Sequence, residues 1–173
     1  MITFQKIKWK NFLSTGDHWS EIDFQGHTTN LVVGTNGSGK STMLDALTFA
    51  LFNKPFRKIN KSQLVNATNE KDCVVEVEFA VNNKDYLVRR SIKPNKFDIE
   101  VNGTLMHKES DDRLNQKILE ENILKVNYKS FTQIVILGSS SFVPFMQLST
   151  SNRRDVIEDL LDIRIFSAMN NLI

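Results

Sequence analysis

The sequence predicts an α/β protein built on a strand, a glycine-rich loop and a helix, followed by an antiparallel β-meander and a closing helix. Three observations carry that expectation. Residues 29–34, TNLVVG, are a short apolar run stopped by glycine, and the stretch 41–52 places Met43, Leu44, Leu47, Ala50 and Leu51 at helical spacing. Between Asp72 and Met106 the pattern changes to alternation in CVVEVEFAV, DYLVRRSI and KFDIEV, separated by NNK and KPNK and closed by Asn102-Gly103. In the last segment Val156, Ile157, Leu160, Leu161, Ile163 and Phe166 form a helical stripe.

The remaining elements follow in chain order. Ile2, Phe4, Ile7 and Trp9 alternate with polar neighbours, and Trp19, Ile22 and Phe24 repeat the pattern, which predicts two opening strands. Both tryptophans read as core residues. Pro55 breaks the helix before it. SDDRLNQKILEENILK has an Asp-rich first turn and apolar Leu114, Ile118, Leu119 and Ile123, a helix signature. SFTQIVILG reads as a further buried strand containing Gln133, and Asn152 with Asp155 three residues on reads as the N-terminal cap of the closing helix.

Composition excludes more than it assigns. A chain of 173 residues with 40% hydrophobic content fits one globular domain, and a formal net charge of +2 is too small to argue for nucleic acid on its own. The single cysteine, Cys73, suits a reducing compartment and reads as a buried strand thiol. No stretch approaches the roughly 18 apolar residues of a membrane span, so the expectation is a cytoplasmic protein without membrane contact. His18, His27 and His107 are isolated, which argues against a zinc site.

The segment Gly34-Thr-Asn-Gly-Ser-Gly39-Lys40-Ser41 matches the phosphate-loop pattern, with an apolar run before it and a helix after. Gly34, Gly37 and Gly39 let the backbone turn tightly, so the amides from Asn36 and Ser38 through Thr42 can face phosphate oxygens as an anion nest. Lys40 reaches the β- and γ-phosphates, and the Ser41 hydroxyl is the expected ligand of Mg²⁺. The predicted ligand is therefore Mg²⁺-ATP; the nearest guanine-reading text, Asn53-Lys54-Pro55-Phe56, lacks its aspartate. Neither VVEVEF nor IVILG ends in the acid that hydrolysing phosphate-loop proteins use to hold Mg²⁺, and Glu76 and Glu78 read as solvated strand residues.

Together, IKWKNFLS, NLVVGTNGSGKSTMLDALTFALF and SSSFVPFMQLSTSNRRDVIEDLLDI resemble the SMC-like recombination and repair ATPases. More narrowly, the chain is similar to the N-terminal halves of the ATPase subunits in phage double-strand-break-processing exonuclease complexes. The resemblance implies an N-terminal half of an ABC-type ATPase head over residues 1–151, with residues 152–173 starting a coiled-coil helix. It further implies a C-terminal half that supplies the missing acid and signature motif, a second head pairing across two ATP molecules, a partner nuclease, double-stranded DNA, and the host cytoplasm as location. ATP hydrolysis, with Lys40 as the catalytic cation, is then expected only from the completed head. Where relatives carry a phosphate-touching arginine this chain has Leu13, with Lys10 or Asn11 as the substitute. Ser139 occupies the place of the glutamine that reaches Mg²⁺.

Lys54, Arg57, Lys58 and Lys61 lie within eight residues around Phe56, a pattern that suits either a solvated loop or a DNA-backbone contact. Arg89 and Arg90 are adjacent on a strand and must point to opposite faces. Two other functions fit the phosphate loop: a transporter-type nucleotide-binding domain, and a module that uses ATP for dimerisation without turnover.

Overall fold

The computed structural model describes residues 2–106, 111–136 and 145–161, together with Ile163 and Met169. They fall into two compact units, Met1–Asn115 and Gln116–Ile173.

The first unit is a six-stranded antiparallel sheet in the order β2-β1-β3-β4-β5-β6, formed by β1 Ile2–Lys10, β2 Ser20–Asp23, β3 Cys73–Val81, β4 Lys84–Ile92, β5 Lys96–Val101 and β6 Thr104–Leu105. The two opening strands and the meander lie where alternation placed them. Ile7, Trp9, Cys73, Val75, Val77, Phe79, Val88, Phe97 and Ile99 are buried, and by register they share one face. Helix α1, Thr42–Phe52, packs against β1, β3 and β4. It ends at Asn53, whose left-handed φ of 57° turns its N–H back to the Phe49 carbonyl at 2.9 Å.

Arg89 and Arg90 diverge as strand geometry requires. Arg90 is buried on the apolar face, where its guanidinium stacks 3.7 Å from the Phe97 ring centre and Nε donates to the Ala50 carbonyl of α1 at 3.0 Å. Arg89 points to the other face and donates through Nε to Glu76 at 2.5 Å.

Five expectations are corrected first, and a sixth, the burial of Leu114, with its helix below. Glu76 is not solvated: it is 4% exposed, held between Arg89 and Lys8, whose Nζ lies 2.8 Å from Oε2. Flanking cations on β1 and β4 cover it, so the polar face of the sheet contains a desolvated carboxylate. Trp19 is not core but 44% exposed, and its ring lies 5.4 Å from Lys8 Nζ and 5.5 Å from Lys10 Nζ. It precedes β2, the sheet's edge strand, so its indole meets two lysine ammonium groups instead of the interior. The apolar run at 29–34 is not a buried strand. It forms no ladder among the described residues, and Leu31 and Val33 are 88% and 80% exposed. A strand of that composition is stable only when neighbouring strands satisfy its backbone.

The other two corrections fall in the second unit. The expected strand at 130–138 begins as helix α3, Tyr128–Ile134, so Gln133 is helical. Asn127 caps it by accepting from the Ser130 N–H at 2.9 Å, and the spacing of buried Phe131 from the cap outweighs the β-branched composition. The closing helix, α4, starts at Thr150, so Asn152 lies inside it; its N–H donates to Ser149 Oγ at 3.4 Å and its side chain accepts from Lys129 of α3. Val156 of α4 is buried while Ile157 and Leu161 are exposed.

The helix expected from the Asp-rich start is present as α2, Asp112–Ile118, and continues as a π-helical turn over Leu119–Leu124 that buries Leu119, Ile123 and Leu124. Leu114 is exposed, in contrast to its expected place in the stripe. Ser139, His107 and Phe166 lie outside the described residues.

Candidate nucleotide site

The phosphate loop leads directly into α1. Gly37 and Gly39 have φ of 86° and 93°, a region closed to most side chains. Gly34 needs its missing side chain for a different reason: a Cβ there would collide with the Ser38 hydroxyl. Backbone geometry thus calls for glycine at 37 and 39, and the Ser38 side chain calls for it at 34. Thr42 N–H bonds the Gly39 carbonyl at 2.9 Å, and Ser38 N–H the Thr35 carbonyl at 3.2 Å, closing the loop onto the helix.

Lys40 folds back over the loop. Its Nζ donates to the carbonyls of Gly34 at 2.6 Å and Thr35 at 2.8 Å, which holds the ammonium above the turn. Ser41 precedes α1 with φ −76° and ψ −12°, and its side chain makes no cap bond to the helix. An exposed hydroxyl not spent on capping, beside a lysine at a helix N-terminus, has the donor chemistry to take Mg²⁺ and phosphate oxygens. The cradle therefore fits a Mg²⁺-nucleoside triphosphate.

Around this loop lies a cavity of about 620 Å³. Of the expected ligand-binding residues it brings together Asn36, Gly37, Gly39, Lys40, Ser41 and Thr42; Gly34 and Ser38 shape the loop without lining the cavity. Asn11 does not line it. Its buried side chain donates to Asp17 Oδ1 at 3.0 Å and to the Asp72 carbonyl at 3.3 Å, and accepts from Asn69 at 2.6 Å. Lys10 is engaged with Asp17, 3.5 Å away.

Leu13, at the position of the relatives' phosphate-touching arginine, lines the far wall, and sequence reasoning missed the rest of that wall, formed by Ser14, Ile59, Gln63, Val65 and Ala67. Two distant segments meet there. Phe12 bridges to Val65, the Leu13 N–H bonds the Leu64 carbonyl at 2.7 Å, and Asn66 Nδ2 donates to the carbonyls of Leu13 and Thr15, both at 3.1 Å. The available signal was the asparagine-rich NATN at 66–69, since buried asparagines commonly tie loops together. The cavity lining among the described residues contains no carboxylate.

Arg57 divides the basic cluster. It lines the cavity, and it is tied to Asp45 of α1, which is fully buried. The Arg57 N–H reaches Asp45 Oδ1 at 2.8 Å, and Nε and Nη2 each reach Oδ2 at 2.6 Å. Lys54, Lys58 and Lys61 are exposed and outside the cavity lining. Lys61 Nζ lies 5.9 Å from the Phe49 ring centre, and burial, with the nearby Arg90 charge second, pulls its pKa below the ordinary lysine value.

A glycine-built phosphate loop ahead of a helix, with its lysine and free serine facing a cavity, defines a P-loop nucleotide-binding protein. The sequence family described as AAA domain matches residues 6–170, and the chain belongs to it. Exonuclease subunit 2 of Enterobacteria phage T4 is 42% identical over 167 residues, which is 96% of this chain and 30% of that protein. The same subunit of Escherichia phage RB69 is 40% identical with the same coverage. The DNA double-strand break repair Rad50 ATPase of Methanococcus maripaludis is 34% identical over 92% of this chain and 16% of its own length. The chain thus spans under a third of the relatives it matches, and the resemblance to the SMC-like recombination ATPases holds. A solved structure from work on ATP-driven dimerization and DNA stimulated activation of SMC ATPases shares the fold, with a TM-score of 0.60 at 23% identity over 91% of this chain and 99% of its own.

Proposed function

We propose that this chain is the ATP-binding half of a DNA recombination and repair ATPase head. A C-terminal half of the same ATPase completes it, and ATP-dependent pairing of two heads regulates a partner nuclease on double-stranded DNA. The carrying observation is an imbalance within the site. The phosphate loop is fully formed, yet the apolar run that enters it lies uncovered at Leu31 and Val33, and no carboxylate lines the described cavity. A complementary half that pairs with this run would bury those side chains and bring the Mg²⁺-holding acid against Ser41 in one step.

Within that reading, this chain binds Mg²⁺-ATP through Lys40, Ser41 and the loop amides but does not turn it over. Phosphoryl transfer depends on positioning and electrostatic stabilisation, and the groups that hold Mg²⁺ and orient water lie elsewhere. In this reading residues 152–173 are the start of a coiled-coil helix, and Ser139 takes the place of the glutamine that reaches Mg²⁺ in relatives. Lys54, Lys58 and Lys61 are the residues here offered to the DNA backbone. The site acts inside the host cell. The names of the relatives favour this reading over a transporter domain.

The test is reconstitution. ATPase activity of the chain is measured alone and with a separately produced C-terminal half, with and without DNA. The expected result is negligible turnover alone and turnover with both halves that rises with protein concentration as heads pair. Robust, concentration-independent hydrolysis by the chain alone would overturn it, and ATP-dependent dimerisation of the two halves without turnover would favour the non-hydrolysing module.

A further inference from the structure

The chain contains two Asn-Gly pairs, and the structure holds them differently. At Asn102-Gly103 the side chain is engaged: Asn102 Oδ1 accepts from the Asp85 N–H at 3.0 Å, and its own N–H donates to the Asp85 carbonyl at 2.8 Å. At Asn36-Gly37, in the phosphate loop, neither the Asn36 side chain nor the Gly37 N–H has a hydrogen-bond partner among the described residues. Both residues are exposed, and nothing lies within 4 Å of the place a Gly37 Cβ would occupy.

We propose that Asn36-Gly37 is a self-modification site: in the empty loop Asn36 deamidates, which places a carboxylate in the phosphate cradle and silences it, and bound nucleotide protects it. The chemistry needs only water. The Gly37 backbone nitrogen attacks Asn36 Cγ and loses its proton to solvent; a C–N bond closes a five-membered imide while Nδ2 leaves as ammonia. Water then adds to either imide carbonyl, one C–N bond breaks, and the nitrogen regains a proton. The products are aspartate, or isoaspartate with the backbone rerouted through the side chain. Glycine at the second position presents no side chain to obstruct the attack. Asn36 lines the same cavity as Lys40 and Ser41, so the new charge faces the triphosphate. A bound triphosphate would engage the loop amides and fix the backbone, removing both the free nitrogen and the freedom to close the ring.

This inference rests on the nucleotide-site reading, and the experiment separates the two. The full chain is held at mildly alkaline pH with and without Mg²⁺-ATP, then digested and analysed by mass spectrometry and enzymatic isoaspartate labelling. Without nucleotide, conversion at Asn36 is expected to outpace that at Asn102 by about fivefold, the factor one net hydrogen bond is worth. Conversion at Asn102 as fast as at Asn36, or none at Asn36, overturns the proposal. Asn36→Ser should abolish the signal in that peptide alone, and a persisting signal there would show that another residue was being read. ATP affinity of the aged chain, and of Asn36→Asp, should fall by about tenfold or more through like-charge repulsion. Equal conversion with and without ATP, with binding shown separately, overturns the protective role. Fast conversion in a chain that never binds ATP would instead sink the nucleotide reading and leave the reactive site standing.

Discussion

Arg57 surrounds the buried carboxylate of Asp45 with three donors, two from its guanidinium at 2.6 Å and one from its own backbone at 2.8 Å. The arrangement anchors the loop after α1 to the helix that follows the phosphate loop. Arg57→Ala leaves Asp45 charged and buried with only the backbone donor. Because the Arg57 side chain is about half exposed, the expected cost is below that of a fully buried pair, about 1–3 kcal/mol. Asp45→Asn should cost less, since it removes the buried charge while keeping an acceptor. Urea midpoints of the two variants test the order, and a milder effect for Arg57→Ala would refute it.

Lys40→Ala should abolish nucleotide binding in the assembled head with little change in melting temperature. Its partners are two carbonyls of its own loop, so the fold loses little while the site loses its point charge. Titration calorimetry with Mg²⁺-ATP, beside a thermal melt, reads both quantities; unchanged ATP affinity would remove Lys40 from the site.

Glu76 makes acid stability specific. Burial by itself would raise its pKa, but the hydrogen bonds and charges of Lys8 and Arg89 outweigh that and hold the folded-state value below the ordinary 4.5. A carboxyl depressed on folding contributes stability that is complete above the unfolded pKa and is lost as pH falls through the folded one. The wild type should therefore lose stability below about pH 4.5, and Glu76→Gln should show a shallower acid limb in urea midpoints measured from pH 7 to pH 3. An identical acid limb in the variant would mean that Glu76 does not titrate with unfolding.

Neutralising Lys54, Lys58 and Lys61 together should weaken duplex binding by the assembled head. The salt dependence should flatten by about 0.9 log unit for each phosphate that the lysines no longer neutralise. Arg57 is left intact in this experiment because its tie to Asp45 would confuse stability with binding. An unaltered slope returns the three lysines to an ordinary solvated loop.

What could be read from sequence depended on the range of the interactions responsible. The meander, α1 and the phosphate loop were legible because alternation, helical spacing and the glycine positions are local signals, and the φ values of Gly37 and Gly39 follow from them. The strand expected at 29–34 failed because no described strand pairs with it, and composition alone cannot report whether a neighbour is present. Glu76 was misjudged because its burial depends on Lys8 and Arg89 on two other strands. The Val65 side of the cavity's far wall went unseen for the same reason: it meets Leu13 through the bridge at Phe12, the Leu13–Leu64 bond and the bonds of Asn66. The start of α3 was the exception: the Asn127 cap is a local feature, but the β-branched run after it reads as a strand.

The neighbouring arginines on β4 bear on how the sheet finds its alignment during folding. A one-residue slip of β4 would send Arg89 inward and Arg90 outward, so each face would still receive a guanidinium and this doublet could not penalise the error. Discrimination must come from Val88, seated between Val77 and Ile99, and from the chain reversals that join the strands. Asn82-Asn83 and Asn102-Gly103 are two-residue turns with positive φ at both positions, the geometry that matches strand twist and fixes which residues face each other. Alignment of β4 is thus set by Val88 together with the reversals that bound the strand, and lengthening the Asn82-Asn83 turn by a single residue would favour a register that the arginine doublet could not penalise.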